Sequence, residues 1–392
     1  MEENKLLEIF DKKIHVFYVG KKDDFNSIYE NAKNETINSY NITKKYYDEK
    51  YIEAERITKN IKDMESKDEI VLLLNKAIDT CPYFFDAKIT KIYLTLEGNQ
   101  EFEKYEELRE EMKHFLDKTG LNIDSSPSIF GSLFAKAYSA LLLRLILSAS
   151  ELGLYNDARK YAEMLYRLDK YNLCDSLYDY CYTLILNEKY NLALNFIKDI
   201  YLPQYMFLKY FIYISLKKYN LAFECYKTLQ VVNPYYCILI SGLVDDFSNY
   251  NYLLSYYLED YYGVRFYDEF NEAIINVMRS FLLFNSNENL EEYFDKYSLE
   301  QVNLLIKLPE IEMFIISLLS KSSQTIKSIY EIIKKNFDYD DSEISANLSL
   351  LEERRLIKKE NSKYTITKLS IYIMRFIISM FENDNEKKEV AQ

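Results

Sequence analysis

A Tyr-Asn-x-Ala tetrad occurs three times in the middle of this chain: Tyr155-Asn156-Asp157-Ala158, Tyr190-Asn191-Leu192-Ala193 and Tyr219-Asn220-Leu221-Ala222. A looser copy is Tyr51-Ile52-Glu53-Ala54. The intervals between the three central alanines are 35 and 29 residues. A signature that returns every 30-odd residues marks stacked helical hairpins, because a single hairpin leaves an apolar face bare and a neighbouring copy covers it. The chain is sparing with the residues that make turns, having 7 Gly and 5 Pro in 392 residues. All-β and α/β folds need both at their many turns, so an all-α chain with short connections is expected.

Helical periodicity can be followed along most of the chain. It predicts helices over Thr43 to Met64, Asp68 to Thr80, Asp86 to Leu96 and Phe102 to Leu116, with Gly98-Asn99 as a turn. Gly120 to Gly131 reads as a loop. Helices then pair off as Leu133 to Leu152 with Asn156 to Leu168, Cys174 to Leu186 with Leu192 to Ile200, and one from Pro203 with Leu221 to Val231. Proline is favoured in a first helical turn, where its missing N–H costs nothing. The alanine of each tetrad fits where helices cross most closely, and the tyrosine packs on a neighbour with its hydroxyl near water.

These positions resemble the tetratricopeptide repeat family, over roughly residues 45 to 245 and most closely from 133 to 240. Ala77 stands five residues before Pro82, and Ala222 twelve before Pro234, as second-helix alanines and closing prolines do in that family. Asp169-Lys170-Tyr171-Asn172 stands where many such repeats carry Asp-Pro-Asn-Asn. The chain departs from the pattern in the first helices, where the small residue appears as Cys181 but as Ile146 and Tyr210 elsewhere. The resemblance implies a bacterial-type right-handed superhelix holding a protein or peptide partner on its concave side. Registering the repeats on Ala158, Ala193 and Ala222 puts Asp175, Tyr178, Tyr182, Gln204, Phe207 and Phe211 on the inner helices, as groove residues or as core.

From Pro309 the texture changes. Helices are expected over Glu310 to Ser320, Thr325 to Asn336 and Ser342 to Arg354, then the alternating piece Tyr364-Thr365-Ile366-Thr367 and a closing helix from Ser370 to Phe381. The run Ile344 to Ile357 resembles the recognition helix and first strand of bacterial winged-helix regulators, and Lys363 to Thr367 resembles the returning strand of the wing. That likeness implies base contacts from Ser345, Asn347 and Ser349, with Lys358, Lys359 and Lys363 near phosphates. The charge opposes it: from Pro309 to Phe376 there are 11 Lys and Arg against 10 Asp and Glu, so little counterion release is available.

The domain reading is therefore an N-terminal segment over 1–45, degenerate repeats over 46–245, a helical extension over 246–308, a winged-helix-like domain over 309–381 and a disordered tail over 382–392. Net charge of −13 argues against general nucleic-acid binding. The five cysteines, Cys81, Cys174, Cys181, Cys225 and Cys237, form no CxxC pair and read as buried thiols in a reducing cytoplasm. The stretch Leu133 to Ser150 contains Lys136 and Arg144, so no membrane span is expected. His15 and His114 have no nearby catalytic partners, and no phosphate-binding glycine loop exists. The acidic clusters Glu106-Glu107-Glu110-Glu111 and Asp338 to Asp341 lack cation-loop spacing. No catalytic residue, metal or cofactor is assigned. The expected function is a cytoplasmic protein-binding scaffold. The alternative is a transcription regulator with a repeat sensor and a DNA-binding winged helix, dimeric through Ser370 to Phe381.

Overall fold

The computed structural model describes residues 3–13, 25–61, 64–121, 131–169, 171–172, 175–241 and 269–375. They are mostly helical, with a small three-stranded sheet near the C-terminus. The chain forms two compact units: residues 1–200, 250–267 and 278–286, and residues 201–249, 268–277 and 287–392. For His15 to Gly20 the sequence allows a short strand or a helix end, and for Tyr252 to Tyr261 it predicts a helix; both stretches lie outside the described residues.

The first unit is built from helices α1 (Glu3–Lys13), α2 (Phe25–Thr43), α3 (Glu49–Thr58), α4 (Lys67–Thr80), α5 (Phe85–Thr95), α6 (Gly98–Thr119), α7 (Ala135–Glu151), α8 (Tyr155–Leu168), α9 (Ser176–Leu186) and α10 (Tyr190–Ile197). From α3 to α10, successive helices pack on one another. The single helix expected from Thr43 to Met64 is broken, because Asp48 caps a new one by accepting the Tyr51 N–H at 3.0 Å. Gly98, expected in a turn, instead opens α6. Gly131 has no substitute: a Cβ there would stand 2.3 Å from the Thr36 carbonyl oxygen. A few residues on, the Leu133 N–H reaches Thr43 Oγ1 at 3.0 Å and fastens α2 to the start of α7.

The tetrads mark one local geometry. Each follows a three-residue connection whose middle residue is left-handed: Gly153 at φ 74°, Glu188 at 57° and Lys217 at 55°. The next residue closes the helix end by reaching back five positions: Leu154 to Ala149, Lys189 to Leu184 and Lys218 to Tyr213, at 2.8, 2.9 and 2.8 Å. It then sits at φ −82°, −87° or −91° and opens the following helix. The alanine N–H of each tetrad bonds to that residue's carbonyl, at 3.0 to 3.1 Å. Ala158, Ala193 and Ala222 are wholly buried, as are Ala54 and Ala77. Their first-turn tyrosines differ: Tyr155 and Tyr190 are half-buried, while Tyr51 and Tyr219 are buried.

In the second unit, α11 (Pro203–Ser215), α12 (Tyr219–Val232) and α13 (Pro234–Ile240) pack with α16 (Leu290–Ile306), which α14 (Glu269–Arg279) and α15 (Leu282–Ser286) precede in the chain. Proline opens α11 and α13. The core is polar at its centre. Buried Gln301 donates to Tyr293 Oη at 2.9 Å and Tyr210 Oη at 3.4 Å, and its carbonyl accepts from Tyr226 at 3.3 Å. Tyr210, Tyr226 and Tyr293 are tolerated there because their hydroxyls are bonded.

The same unit holds α17 (Glu310–Lys321), β1 (Gln324–Thr325), α18 (Ile326–Asn336), α19 (Asp341–Glu353), β2 (Ile357–Glu360), β3 (Lys363–Ile366) and a last helix over 368–375. The sheet is antiparallel in the order β1-β3-β2, with Gln324 opposite Tyr364 and Glu360 opposite Lys363. Asn361 and Ser362, at φ 49° and 65°, make the tight hairpin between β2 and β3. Ile344, Leu348 and Leu351 turn inward from α19. Residues 309–375 are tied to the α11–α13 helices through Arg355. Its Nη1 reaches the Val232 carbonyl and Glu269, each at 2.8 Å. Phe270 stacks on Tyr372 with ring centres 5.5 Å apart.

Candidate functional site

Helix α9 carries the most distinctive cluster of the first unit. All eleven of its residues are buried, so it is enclosed by neighbours on every side. Its start is built by the segment before it. Asn172 Oδ1 accepts the Leu177 N–H at 2.9 Å, and Asp169 accepts the Ser176 hydroxyl at 2.8 Å. Those two residues come from the Asp-Lys-Tyr-Asn run that the sequence set beside the repeat family's loop. Asp175 is left-handed, at φ 57°.

Asp179 lies one turn into this helix and is buried. Arg279 faces it with two nitrogens: Nη2 stands 2.5 Å from Oδ2, and Nε donates to Oδ1 at 3.2 Å. Asp175 Oδ2 is 3.9 Å from Arg279 Nη1. The guanidinium also covers the Tyr178 ring, 4.7 Å from its centre, and Tyr178 shares a 2.8 Å hydroxyl bond with buried Ser280. Burial pushes the Asp179 carboxyl up from its ordinary value, against the pull of Arg279. Burial likewise pushes the Tyr178 phenol up. The cluster therefore binds a guanidinium by charge, by the Nε–H hydrogen bond and by an aromatic face.

The six residues set on the inner helices fall into two kinds. Tyr178 and Tyr182 are buried in the first unit, and Phe207 and Phe211 in the second. Phe207 packs on Phe211 at 5.0 Å and on Tyr236 at 5.3 Å. Burial of these four aromatics supports their reading as core. Asp175 and Gln204 are half-buried.

On α19 of the second unit, Ser345 and Ser349 are exposed. Asn347 is half-buried and donates to its own helix at the Glu343 carbonyl, 2.8 Å away. On the hairpin, Lys358, Lys359 and Lys363 are exposed; Lys358 pairs with Glu360 at 2.8 Å, and Lys359 covers the Tyr364 ring at 5.6 Å. The start of α19 is acidic. Asp340 accepts the N–H groups of Ser342 and Glu343 and forms a capping box with Glu343, and Asp341 pairs with Lys334 at 2.9 Å. The serine hydroxyl and the backbone N–H bonds hold the Asp340 carboxyl below its ordinary value.

The other residues weighed for chemistry have ordinary surroundings. Glu111 pairs with Lys88 at 2.5 Å, Glu107 with Lys104 and Glu110 with Arg109, while Glu106 accepts from Tyr161. His114 is exposed, whereas His15 lies outside the described residues. Cys81, Cys181, Cys225 and Cys237 are buried free thiols, and Cys174 also lies outside the described residues. Among the described residues no group of three or more His, Cys, Asp and Glu could hold a metal ion, and no helix is long and apolar enough to cross a membrane. Sequence reasoning reached Asp175 and Tyr178 but missed Asp179, Arg279 and Ser280. A signal was available for Asp179, as a charge in an otherwise apolar helix. None was available for Arg279, a hundred residues away.

Comparison with protein families, with curated proteins and with solved structures finds no match.

Proposed function

We propose that the chain is a non-enzymatic scaffold of the tetratricopeptide type that binds a protein or peptide partner. One observation carries the reading. The same left-handed connection, followed by a wholly buried alanine, recurs at Gly153, Glu188 and Lys217. Reusing one connection to build successive helix pairs is how repeat proteins make an extended binding surface.

The C-terminal segment supports a second reading, that of a winged helix. Helix, strand, two helices and a hairpin in the sheet order β1-β3-β2 match that layout, and Ser345, Ser349 and three hairpin lysines are exposed. The charge favours protein over DNA as its partner. Asp338, Asp340, Asp341, Glu343, Glu352 and Glu353 lie at the two ends of α19 and repel phosphate. Arg354 and Arg355, the arginines next to that helix, bond to Glu312 and Glu269 instead.

A gel-shift of the full chain against genomic DNA fragments, titrated with salt, separates the two readings. The scaffold reading expects no sequence-preferring retention at low salt. Retention that discriminates between fragments, weakens steeply with salt and vanishes when Lys358, Lys359 and Lys363 become alanine would replace it with the regulator reading.

A further inference from the structure

The segment Met278–Ser286 lies outside the three tetrad-bearing hairpins, yet two of its residues, Arg279 and Ser280, bond to the α9 cluster. Three features of that cluster would suit a foreign peptide equally well. Asp175 and Asp179 are four residues apart, one helical turn, and both face the guanidinium. Tyr178 gives the guanidinium an aromatic face and binds the hydroxyl of the following residue. The ion pair is 3% and 5% exposed at its two side chains, so the desolvation cost offsets most of its attraction. An apolar pair of the same volume would hold the segment at least as firmly. What the charged pair adds is selectivity for arginine and for one register.

We propose that α9 carries an arginine socket, that Arg279-Ser280 is its built-in occupant, and that an arginine-bearing segment of the partner protein displaces it. The inference rests on the scaffold reading and supplies its partner chemistry. A tethered occupant acts at high effective concentration, so the socket stays filled until a competing segment arrives with additional contacts of its own. In the closed state the chain inhibits itself.

The probe is a fluorescent peptide copying residues 276–286, followed by anisotropy with the full chain. Weak binding to the wild type is expected, with affinity for Arg279→Ala about tenfold higher or more, because the tethered competitor is disabled. The same peptide carrying Arg279→Leu is expected to bind neither protein. Equal binding of the parent peptide to wild type and R279A would overturn the proposal, as would equal binding of the Leu peptide and the parent. If R279A loses its cooperative melting, Arg279→Lys decides: it keeps the charge but loses the Nε–H donor and the planar guanidinium over Tyr178, and should still bind the peptide more tightly than the wild type does. No gain in R279K would overturn the socket. Neither result touches the scaffold reading, which stands or falls with DNA retention.

Discussion

Arg279 and Arg355 make the same chemical contact, a guanidinium against a carboxylate, in different surroundings. Arg279 and Asp179 are 3% and 5% exposed, whereas Arg355 and Glu269 are 37% and 45% exposed. The first pair has left water almost completely, so the Asp179 carboxylate depends on Arg279 for its compensation. The second remains half in solvent, where attraction is weak and salt screens it. Arg355 gains from a further bond to the Val232 carbonyl at the end of α12. Bond lengths alone, 2.5 and 2.8 Å, would rank the two pairs as near equals. Burial separates them, and it makes Arg279 the residue on which the fold and the proposed socket both depend.

The sharpest test removes one partner from each pair. Arg279→Ala strands a buried carboxylate and should cost about 3–5 kcal/mol in urea unfolding, while Arg279→Met combined with Asp179→Leu should restore most of the loss. Arg355→Gly should stay within about 1 kcal/mol of the wild type, because it gives up a half-exposed pair but relieves a left-handed backbone at φ 58°. Equal losses for the two single variants would refute the comparison.

A smaller effect is expected at the tetrad connections, where one backbone shape is held by different residues. Gly153→Ala has open space around its Cβ, so its cost is conformational only, about 1 kcal/mol. Glu188→Gly should act in the opposite sense and raise the melting temperature, by up to about 1 kcal/mol of stability. A fall in melting temperature for E188G would mean that the left-handed connection is not the strained element.

The smallest effect lies in the response to acid. The Tyr83 hydroxyl holds the Asp48 carboxyl below its ordinary value of 3.8, so its contribution is present above that value and is lost as pH falls below it through the lowered folded value. Asp179 has the opposite sign: burial raises it, so its contribution grows as pH falls toward 3.8 from above. Asp48→Asn should therefore flatten the loss of stability on acidification, and Asp179→Asn should steepen it. Unfolding free energy measured from neutral pH downward checks both slopes.

Much of the helical layout was legible in the sequence because it follows from local periodicity. The expected starts and ends of α4, α5, α8 and α12 fall within about two residues of those observed, the uncertainty normal for helix ends. The break at Asp48 was missed because a cap outweighed a continuous apolar pattern. β1 was missed because two residues carry no alternation to detect. Of the candidate site, Asp175 and Tyr178 were reachable through the repeat register, and the aromatic residues chosen with them are core.

Order in sequence, set by turn chemistry and apolar spacing, determined that the described residues are mostly helical, where most of their helices begin and which alanines are wholly buried. Such signals span four to thirty-odd residues, and a single chain displays them openly. Tertiary structure decided which charges were taken out of water. It brought Arg279 and Ser280 onto α9 and joined the C-terminal sheet and helices to α12 through Arg355. These pairings join residues about a hundred positions apart, and their energies depend on the dielectric around them, a property that exists only once the chain has folded.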